Sequence, residues 1–241
     1  MCEILAVAGT NDVAFDDILP WARDLERLGV AGFGWGVVWL TEDGVRRYRN
    51  PGSLADDAEG ARRIGAVRSR RLLVHLRRPS RLSTAQLADS QPFLDASPEE
   101  GVGSFAFCHN GFLERHAELR PRYEKQISGR ADSEVGFAFF RERLGDGAAP
   151  AVALVEVHQR FEGNANLGYL GADGTLLVYG GHAHNPLWQF EQDGLDLAAS
   201  GLHSDDESLF HLVFTAATRR TRIGAEVIEI GPRPSEDRRA S

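Results

Sequence analysis

The 241-residue chain has few of the residues that carry cross-links or bind soft metals. It contains two cysteines, Cys2 and Cys108. Two are too few for a disulfide framework or a four-thiolate metal site. Either one could also be a small buried apolar residue. We therefore expect no metal and no cofactor.

Long apolar runs and an excess of positive charge are also missing. No stretch approaches the roughly 20 apolar residues needed to cross a bilayer, and the N-terminus lacks the basic start and apolar stretch of a secretory signal. The formal net charge is -8, and Lys125 is the only lysine. The arginines fall in scattered pairs rather than in one basic patch. These absences predict a cytoplasmic protein that binds neither membrane nor nucleic acid.

The residues that are present have a globular composition, with apolar residues, mixed charges, glycine and proline spread along the chain. Hydrophobic periodicity and turn signals predict early strands, a helical middle and late strands. The predicted strands cover residues 3–8, 34–40, 45–49, 72–77, 105–109, 166–170, 175–179, 187–190, 195–200 and 226–230. The predicted helices cover residues 15–28, 132–144 and 151–160. This order favours an α+β fold with antiparallel sheets over a doubly wound parallel sheet.

The N-terminus carries the first chemical signal. Cys2 follows the initiator methionine and is small enough for Met1 to be removed. Removal would leave one residue with both a thiol and a free α-amine, whose unperturbed pKa of roughly 7.7 to 8.0 suits a general base. By itself a cysteine at position 2 is often accidental.

Two further strand ends carry polar groups that could bind a substrate. Asn110 and Gly111 end a predicted strand, and an Asn amide with a following backbone N–H can face an oxyanion. Strand alternation places His75 and Arg77 on one face, where Arg77 could grip a carboxylate bidentately. The alternatives are an ordinary Asn-Gly turn and a surface ion pair. Similarly, Asp132 could accept from a substrate ammonium or merely cap its helix.

Together these fragments resemble the class II glutamine amidotransferase family. The matching segments, in chain order, are Met1-Cys2-Glu3, Gly34-Trp35-Gly36, His75-Leu76-Arg77, Pro92-Phe93, His109-Asn110-Gly111 and Asp132-Ser133-Glu134. A looser match continues through Asn166 and the Asp173-Gly174 turn to Ala199-Ser200-Gly201. The resemblance implies an N-terminal-nucleophile hydrolase fold, a four-layer αββα sandwich, over residues 1–231. Residues 232–241 are predicted to be a disordered tail.

The resemblance also implies a role for each matching residue. Cys2 would be the nucleophile, with its own amine as the base, and Asn110 and Gly111 would form the oxyanion hole. Arg77 would bind the α-carboxylate of glutamine or of a γ-glutamyl compound, and Asp132 its α-ammonium. The site would also be lined by three further residues, namely Trp35, Gly36 and His75. The reaction would pass through a γ-glutamyl thioester.

The sequence departs from the family near the expected substrate site. Gln91 precedes Pro92 where many members have a histidine, Phe33 precedes Gly34 where an aspartate is common, and Arg78-Pro79 follows Arg77. These changes leave the expected nucleophile and oxyanion hole intact. They leave open which γ-glutamyl compound is the substrate.

Two other clusters of polar residues are interpreted as having no functional role. His182 and His184 have strand spacing, but no third ligand lies near them in sequence, so we expect no metal there. The acidic segment 204–207 is most simply a solvated loop or helix start.

The sequence does not decide whether the amide bond is simply hydrolysed or whether the released ammonia is passed to a synthase. Too few residues follow the motifs for a second catalytic domain, so we expect a stand-alone amidohydrolase. One alternative is a glutaminase subunit that feeds ammonia to a synthase partner. The other is a non-catalytic module that binds glutamine or a γ-glutamyl compound.

Overall fold

The computed structural model describes residues 2–96, 101–204 and 207–231. Met1, the predicted tail 232–241 and part of the acidic segment 204–207 lie outside the described residues. The described strands are β1 (Glu3–Ala14), β2 (Trp35–Thr41), β3 (Gly44–Asn50), β4 (Arg68–Leu76), β5 (Phe93–Asp95), β6 (Val102–Gly103), β7 (Phe105–Leu113), β8 (Gly163–Gly171), β9 (Leu176–Gly181), β10 (Leu187–Gln192), β11 (Leu195–Ser200), β12 (Thr218–Ile223) and β13 (Val227–Glu229).

Helices lie in four of the connections between the described strands. The described helices are α1 (Phe15–Leu28), α2 (Ala58–Gly65), α3 (His116–Tyr123), α4 (Asp132–Gly145), α5 (Pro150–Phe161) and α6 (Ser208–Val213). The predicted loop between β4 and β5 contains only two single 3-10 turns. No helix among the described residues is long and apolar enough to cross a membrane.

The strands form two sheets, which confirms the predicted α+β class. Eight strands pair in the order β12-β10-β11-β1-β4-β2-β3-β6, and five pair in the order β13-β9-β8-β7-β5. All the pairings are antiparallel between the described strands.

Three apolar cores separate four layers. Leu5 and Val7 of β1 pack in a core with α1, α2 and α6, whereas Ile4 and Ala6 pack in the core that contains residues of both sheets. The third core joins β7 and β8 to α3, α4 and α5. Helices therefore cover the outer face of each sheet, and the predicted αββα sandwich is confirmed.

The alternation of side chains along β1 determines which way the Cys2 side chain faces. Alternate residues of a strand face opposite sides, so Cys2 has the parity of Ile4 and faces the second sheet. In the antiparallel pairing of β1 with β4, Glu3 is opposite Leu76. Continuing this register by one residue brings Arg77 beside Cys2.

Two sequence predictions about β-structure need correction. The predicted turn at Asn110-Gly111 is wrong, because β7 continues to Leu113 and pairs Asn110 with Asn166 of β8. An Asn-Gly pair is a local turn signal, but here the ladder with β8 satisfies the backbone and overrides it. Strand β12 was also missed, since its sequence Thr-Arg-Arg-Thr-Arg-Ile is almost wholly polar and largely exposed.

Candidate active site

A cavity of about 650 Å³ lies where β1, β7, α4 and the loop after β4 meet. Four predicted site residues line it: Cys2, Arg77, Gly111 and Asp132. These residues are far apart in the sequence, and the sandwich brings them to one place. The same cavity is lined by Gln91, which the sequence marked only as a departure from the family.

The Cys2 side chain is half-buried at the start of β1. Its Sγ lies 3.8 Å from the carbonyl oxygen of Arg78. Burial raises the pKa of the Cys2 thiol, and the positive charge of Arg77 opposes that shift. A thiol that stays protonated near neutral pH needs a base before it can act as a nucleophile.

Asn110 and Gly111 occupy consecutive positions of β7 on the opposite sheet. Asn110 is fully buried, and its Nδ2 donates to Ser200 Oγ over 3.2 Å. Ser200 Oγ also accepts from the backbone N–H of Ile4 at 2.9 Å. One hydroxyl therefore ties Asn110 to the strand that carries Cys2, a link that the sequence did not predict.

Gly111 lines the cavity, whereas the fully buried Asn110 that precedes it does not. The backbone of Gly111 requires glycine. Its φ is 139°, a region that L side chains rarely adopt. A Cβ at this position would also clash with the carbonyl oxygen of Asn164 in β8. The backbone can therefore lie open to the cavity only without a side chain.

Arg77 is only 3% exposed, yet its side chain lines the cavity. Its Nη2 donates to Thr84 Oγ1 over 2.7 Å and its Nη1 to the carbonyl oxygen of Phe33 over 3.4 Å. Burial lowers the pKa of the guanidinium, and the nearby Cys2, Asp89 and Asp132 groups oppose that shift. Arg77 is thus not in a surface ion pair, and further N–H donors remain for a ligand.

Asp132 is the first residue of α4, but its side chain does not cap that helix. Its Oδ2 accepts from the backbone N–H of Leu113 at 2.8 Å. The other carboxylate oxygen accepts none of the hydrogen bonds found among the described residues. Asp132 therefore offers one negative oxygen to the cavity and uses the other to hold the end of β7.

Asp89 holds the segment that leads into Asp132. It is fully buried, and its Oδ1 accepts from the backbone N–H groups of Arg130 and Ala131, each at 2.6 Å. Gln86 Nε2 donates to Oδ2 at 2.8 Å. Sequence reasoning assigned no role to Asp89, because its partners lie about 40 residues away and leave no local signal.

Three residues predicted to bind substrate do not line the cavity. His75 is fully buried, and its Nε2 lies 3.1 Å from the carbonyl oxygen of His109. Trp35 packs in the outer core, where its Nε1 donates to Asp57 at 3.1 Å. Gly36 lies against the Gln91 carbonyl, where a Cβ would clash. His75, Trp35 and Gly36 thus support the strands behind the cavity rather than reach into it.

Gln91 extends the pairing of the second sheet at the cavity wall. Its Oε1 accepts from the backbone N–H of His109 at 2.7 Å, and its Nε2 donates to the carbonyl oxygen of His109 at 3.2 Å. A side-chain amide can make this pair of bonds because it carries both a donor and an acceptor. Gln91 thereby positions the residue next to Asn110.

A buried polar network anchors the start of β1 from the other side. Asn185 Nδ2 donates to Glu3 Oε2 at 3.0 Å, and Asn166 Nδ2 donates to the carbonyl oxygen of Asn185 at 2.6 Å. Burial raises the pKa of Glu3 to about 8, and the Asn185 hydrogen bond opposes the shift. The residue next to Cys2 is thus held by fixed partners.

His182 and His184 both line the cavity, and the His182 side chain also holds the backbone of this loop. His182 Nδ1 accepts from the backbone N–H groups of His184 and Asn185, at 3.2 and 3.0 Å. Burial lowers the pKa of His182 to about 4. Within the described residues, no group of three His, Cys, Asp or Glu side chains could hold a metal ion.

Comparison with known proteins identifies the family to which the chain belongs. The family model described as class-II glutamine amidotransferases matches residues 1–191. The chain belongs to this family. Residues 1–191 include Cys2, Arg77, Asn110 and Asp132, whereas β11, α6, β12 and β13 lie beyond the matched range.

One curated relative and three solved structures give the range of this similarity. An amidophosphoribosyltransferase from Lacticaseibacillus casei is 32% identical over 136 residues, which cover 53% of this chain and 66% of that protein. A glutamine phosphoribosylpyrophosphate amidotransferase from B. subtilis aligns with a TM-score of 0.70 and 15% identity, over 95% of this chain and 47% of that chain. An allosteric regulatory enzyme of purine biosynthesis aligns with a TM-score of 0.68 and 18% identity, over 96% of this chain and 45% of that chain.

A third solved structure is closer to this chain in extent. The class-II domain protein from Silicibacter pomeroyi aligns with a TM-score of 0.58 and 18% identity, over 97% of this chain and all of that chain. The chain spans about half the length of the first two structures and about two-thirds of the curated relative. At these identities the structural matches establish the fold of the amidotransferase domain.

Proposed function

We propose that this class II amidotransferase domain hydrolyses the γ-glutamyl amide bond of glutamine or of a γ-glutamyl compound. The arrangement of Cys2, Arg77, Gly111 and Asp132 around one cavity carries the proposal. It places a thiol, a cation, an exposed strand backbone and an anion within reach of one small molecule.

Arg77 and Asp132 suit the charged end of the substrate. A glutamyl group ends in an α-carboxylate and an α-ammonium. The guanidinium would bind the carboxylate with its remaining donors, and the free oxygen of Asp132 would accept from the ammonium. This clamp fixes the side-chain amide relative to Cys2, which turns the attack into an intramolecular step.

The chemistry would then use two ends of the same residue. Once Met1 is removed, the α-amine of Cys2 takes the thiol proton, and Sγ attacks the amide carbon to form a tetrahedral intermediate. Asn110 Nδ2 and the Gly111 backbone would stabilise its oxyanion. The amine leaves with the proton, and water then releases glutamate from the thioester.

We propose hydrolysis without transfer to a synthase as the form of this activity. The alternatives remain a glutaminase subunit that supplies ammonia to a synthase partner and a binding module without turnover.

A release assay separates these alternatives. Protein starting at Cys2 is incubated with glutamine and with a set of γ-glutamyl amides, and glutamate and ammonia are measured against a Cys2→Ala control. Glutamate release from γ-glutamyl amides by the isolated chain supports the hydrolase. Binding of these compounds without any release would contradict it in favour of the binding module.

A further inference from the structure

The cavity has an unusual balance of charge for this chain. The chain as a whole has 35 acidic and 27 basic residues. The cavity is lined by one carboxylate, Asp132, and by four arginines, namely Arg77, Arg78, Arg81 and Arg130. Arg77 and Asp132 together neutralise the two charges of a glutamyl group. Three positive charges are therefore left without a counterpart in the proposed substrate.

The side chains of these three arginines form no hydrogen bond or ion pair with any of the described residues. Arg78, Arg81 and Arg130 are exposed at the cavity mouth, and none forms an ion pair in the described part of the chain. Some exposed arginines elsewhere are paired, as Arg115 is with Glu118 and Glu162, whereas others, such as Arg62 on α2, form no ion pair within the described residues. The mouth is thus a region of concentrated positive charge.

The backbones of Arg81 and Arg130 are nevertheless held by hydrogen bonds. The Arg81 carbonyl oxygen accepts from Thr84 Oγ1 at 2.8 Å, and the same Thr84 Oγ1 accepts from Arg77. The Arg130 N–H donates to buried Asp89 at 2.6 Å. The side chains therefore start from anchored positions on either side of the clamp.

The size of the cavity also indicates a substrate larger than glutamine. A volume of about 650 Å³ lies within the roughly 300–1,000 Å³ typical of pockets for drug-sized ligands. Glutamine is far smaller than such a ligand. The cavity therefore has room for a second group beyond the glutamyl half, and the arginines line that room.

We propose that the amine half of the substrate, which leaves first, is anionic and is bound by Arg78, Arg81 and Arg130. This inference rests on the proposed γ-glutamyl hydrolysis. A carboxylate or a phosphate would satisfy it, since both accept bidentate bonds from guanidinium groups. The cations at the mouth would also speed the arrival of such a substrate, in a manner weakened by salt.

A matched pair of ligands tests the preference without requiring turnover. Cys2→Ala protein is titrated with γ-glutamyl-4-nitroanilide and with γ-glutamyl-3-carboxy-4-nitroanilide, which differ by one carboxylate. We expect the carboxylated ligand to bind at least about tenfold more tightly at low ionic strength, with the ratio falling as salt is added. Equal affinities would overturn the inference.

Variants assign the preference to the mouth. In Cys2→Ala protein, Arg81→Gln combined with Arg130→Gln should bring the affinity ratio toward one. The matched control is Arg62→Gln, which removes an exposed arginine on α2 outside the cavity and should keep the ratio. Loss of the preference in the control as well would overturn the assignment to these arginines.

Turnover of both anilides by protein starting at Cys2 separates this inference from the proposed function. Anion-selective binding without release of nitroaniline would contradict the hydrolase while supporting the anionic subsite. Release of nitroaniline with equal affinities would support the hydrolase and overturn the subsite.

Discussion

Asn110 and Arg77 use different parts of their side chains for structure and for the proposed chemistry. Asn110 Nδ2 already donates to Ser200, and its second hydrogen is the one that an oxyanion would take. Its Oδ1 has no hydrogen-bond partner among the described residues. Arg77 similarly spends two donors on Thr84 and Phe33. Each residue is therefore fixed before a substrate arrives.

Replacing Asn110 tests the oxyanion hole. We expect Asn110→Ala to fold and to lose turnover by roughly 100 to 1000-fold, because one oxyanion donor is typically worth about 2.7 to 4 kcal/mol. Steady-state glutamate release measures the loss, and thermal unfolding checks the fold. Wild-type turnover in a folded variant would remove Asn110 from the mechanism.

Replacing Arg77 tests the carboxylate clamp. Arg77→Lys keeps the charge but loses the planar pair of donors, so a γ-glutamyl ligand should bind about tenfold or more weakly. Calorimetry in Cys2→Ala protein measures the affinity. Arg122→Lys, at an exposed ion pair with Glu142, is the matched control and should bind as the parent does. If both variants bind alike, the clamp is misassigned.

The residues proposed to bind the substrate or react with it were more predictable from the sequence than the residues that position them. Cys2, Arg77, Asn110 and Asp132 stand in short segments that can be compared with a family. Gln91, Asp89, Asn185 and Ser200 act through partners distant in sequence, and a single sequence shows no such contact. His75, Trp35 and Gly36 lie in matching segments but support the wall rather than line it.

At the scale of elements, the predicted structure succeeded where the hydrophobic period was strong. Helix α1 has the predicted bounds, with buried residues on one face. Helices α2, α3 and α6 were missed because they are short, and α3 is polar and contains Pro121. Local patterns are weak for elements that depend on tertiary packing.

The connection between the loop after β4 and the start of α4 can be tested through Asp89. Asp89→Ala removes the acceptor of two backbone N–H groups at 2.6 Å, a cost of roughly 1–3 kcal/mol for each buried group left unpaired. Without these two hydrogen bonds the segment before Asp132 should move and displace the Asp132 carboxylate. We therefore expect KM for the substrate to rise more than kcat falls. Asp89→Asn keeps an acceptor oxygen and should retain most of the affinity. A variant with a lowered kcat and an unchanged KM would contradict this positioning role.

At the scale of the whole molecule, the buried carboxyl of Glu3 couples folding to pH. Its pKa rises from 4.5 to about 8 on folding. Below about pH 4.5 both states hold the proton, and between 4.5 and 8 only the folded state does. The unfolded state thus binds fewer protons, so stability should fall as the pH rises through this window.

The Glu3→Gln variant isolates that contribution. It removes the ionisable group while keeping an oxygen for the Asn185 hydrogen bond. We expect the variant to gain stability relative to the parent as the pH rises from 5 to 8, with both chains carrying the same N-terminus. Urea unfolding at several pH values measures the difference. A constant difference across this range would show that Glu3 does not titrate there.

The four-layer architecture itself followed from the resemblance, whereas element order alone gave only the α+β class. The packing of β1 explains why the resemblance implied the correct layer order. Alternate residues of β1 serve two different cores, so the strand has to lie between a helical layer and the second sheet. That position fixes where its first residue meets β7.

The N-terminus decides the proposed mechanism, since the α-amine of Cys2 is the only base that it uses. A retained Met1 would place that amine in a peptide bond while leaving the thiol in place. Because burial raises the pKa of the Cys2 thiol, the blocked chain would hold less thiolate at neutral pH than an unperturbed thiol with a pKa near 8.5. Alkylation should therefore be slow but persist in the blocked chain, whereas turnover should fall sharply.

The most direct measurement compares two preparations that differ only at this end. One is cleaved from a precursor to start at Cys2 and the other retains Met1, each confirmed by intact mass. Glutamate release from a γ-glutamyl amide is measured for both and for Cys2→Ser. The N-terminal-nucleophile mechanism predicts glutamate release by the processed chain and little release by the other two. Equal release by the processed and Met1-retained chains would contradict it.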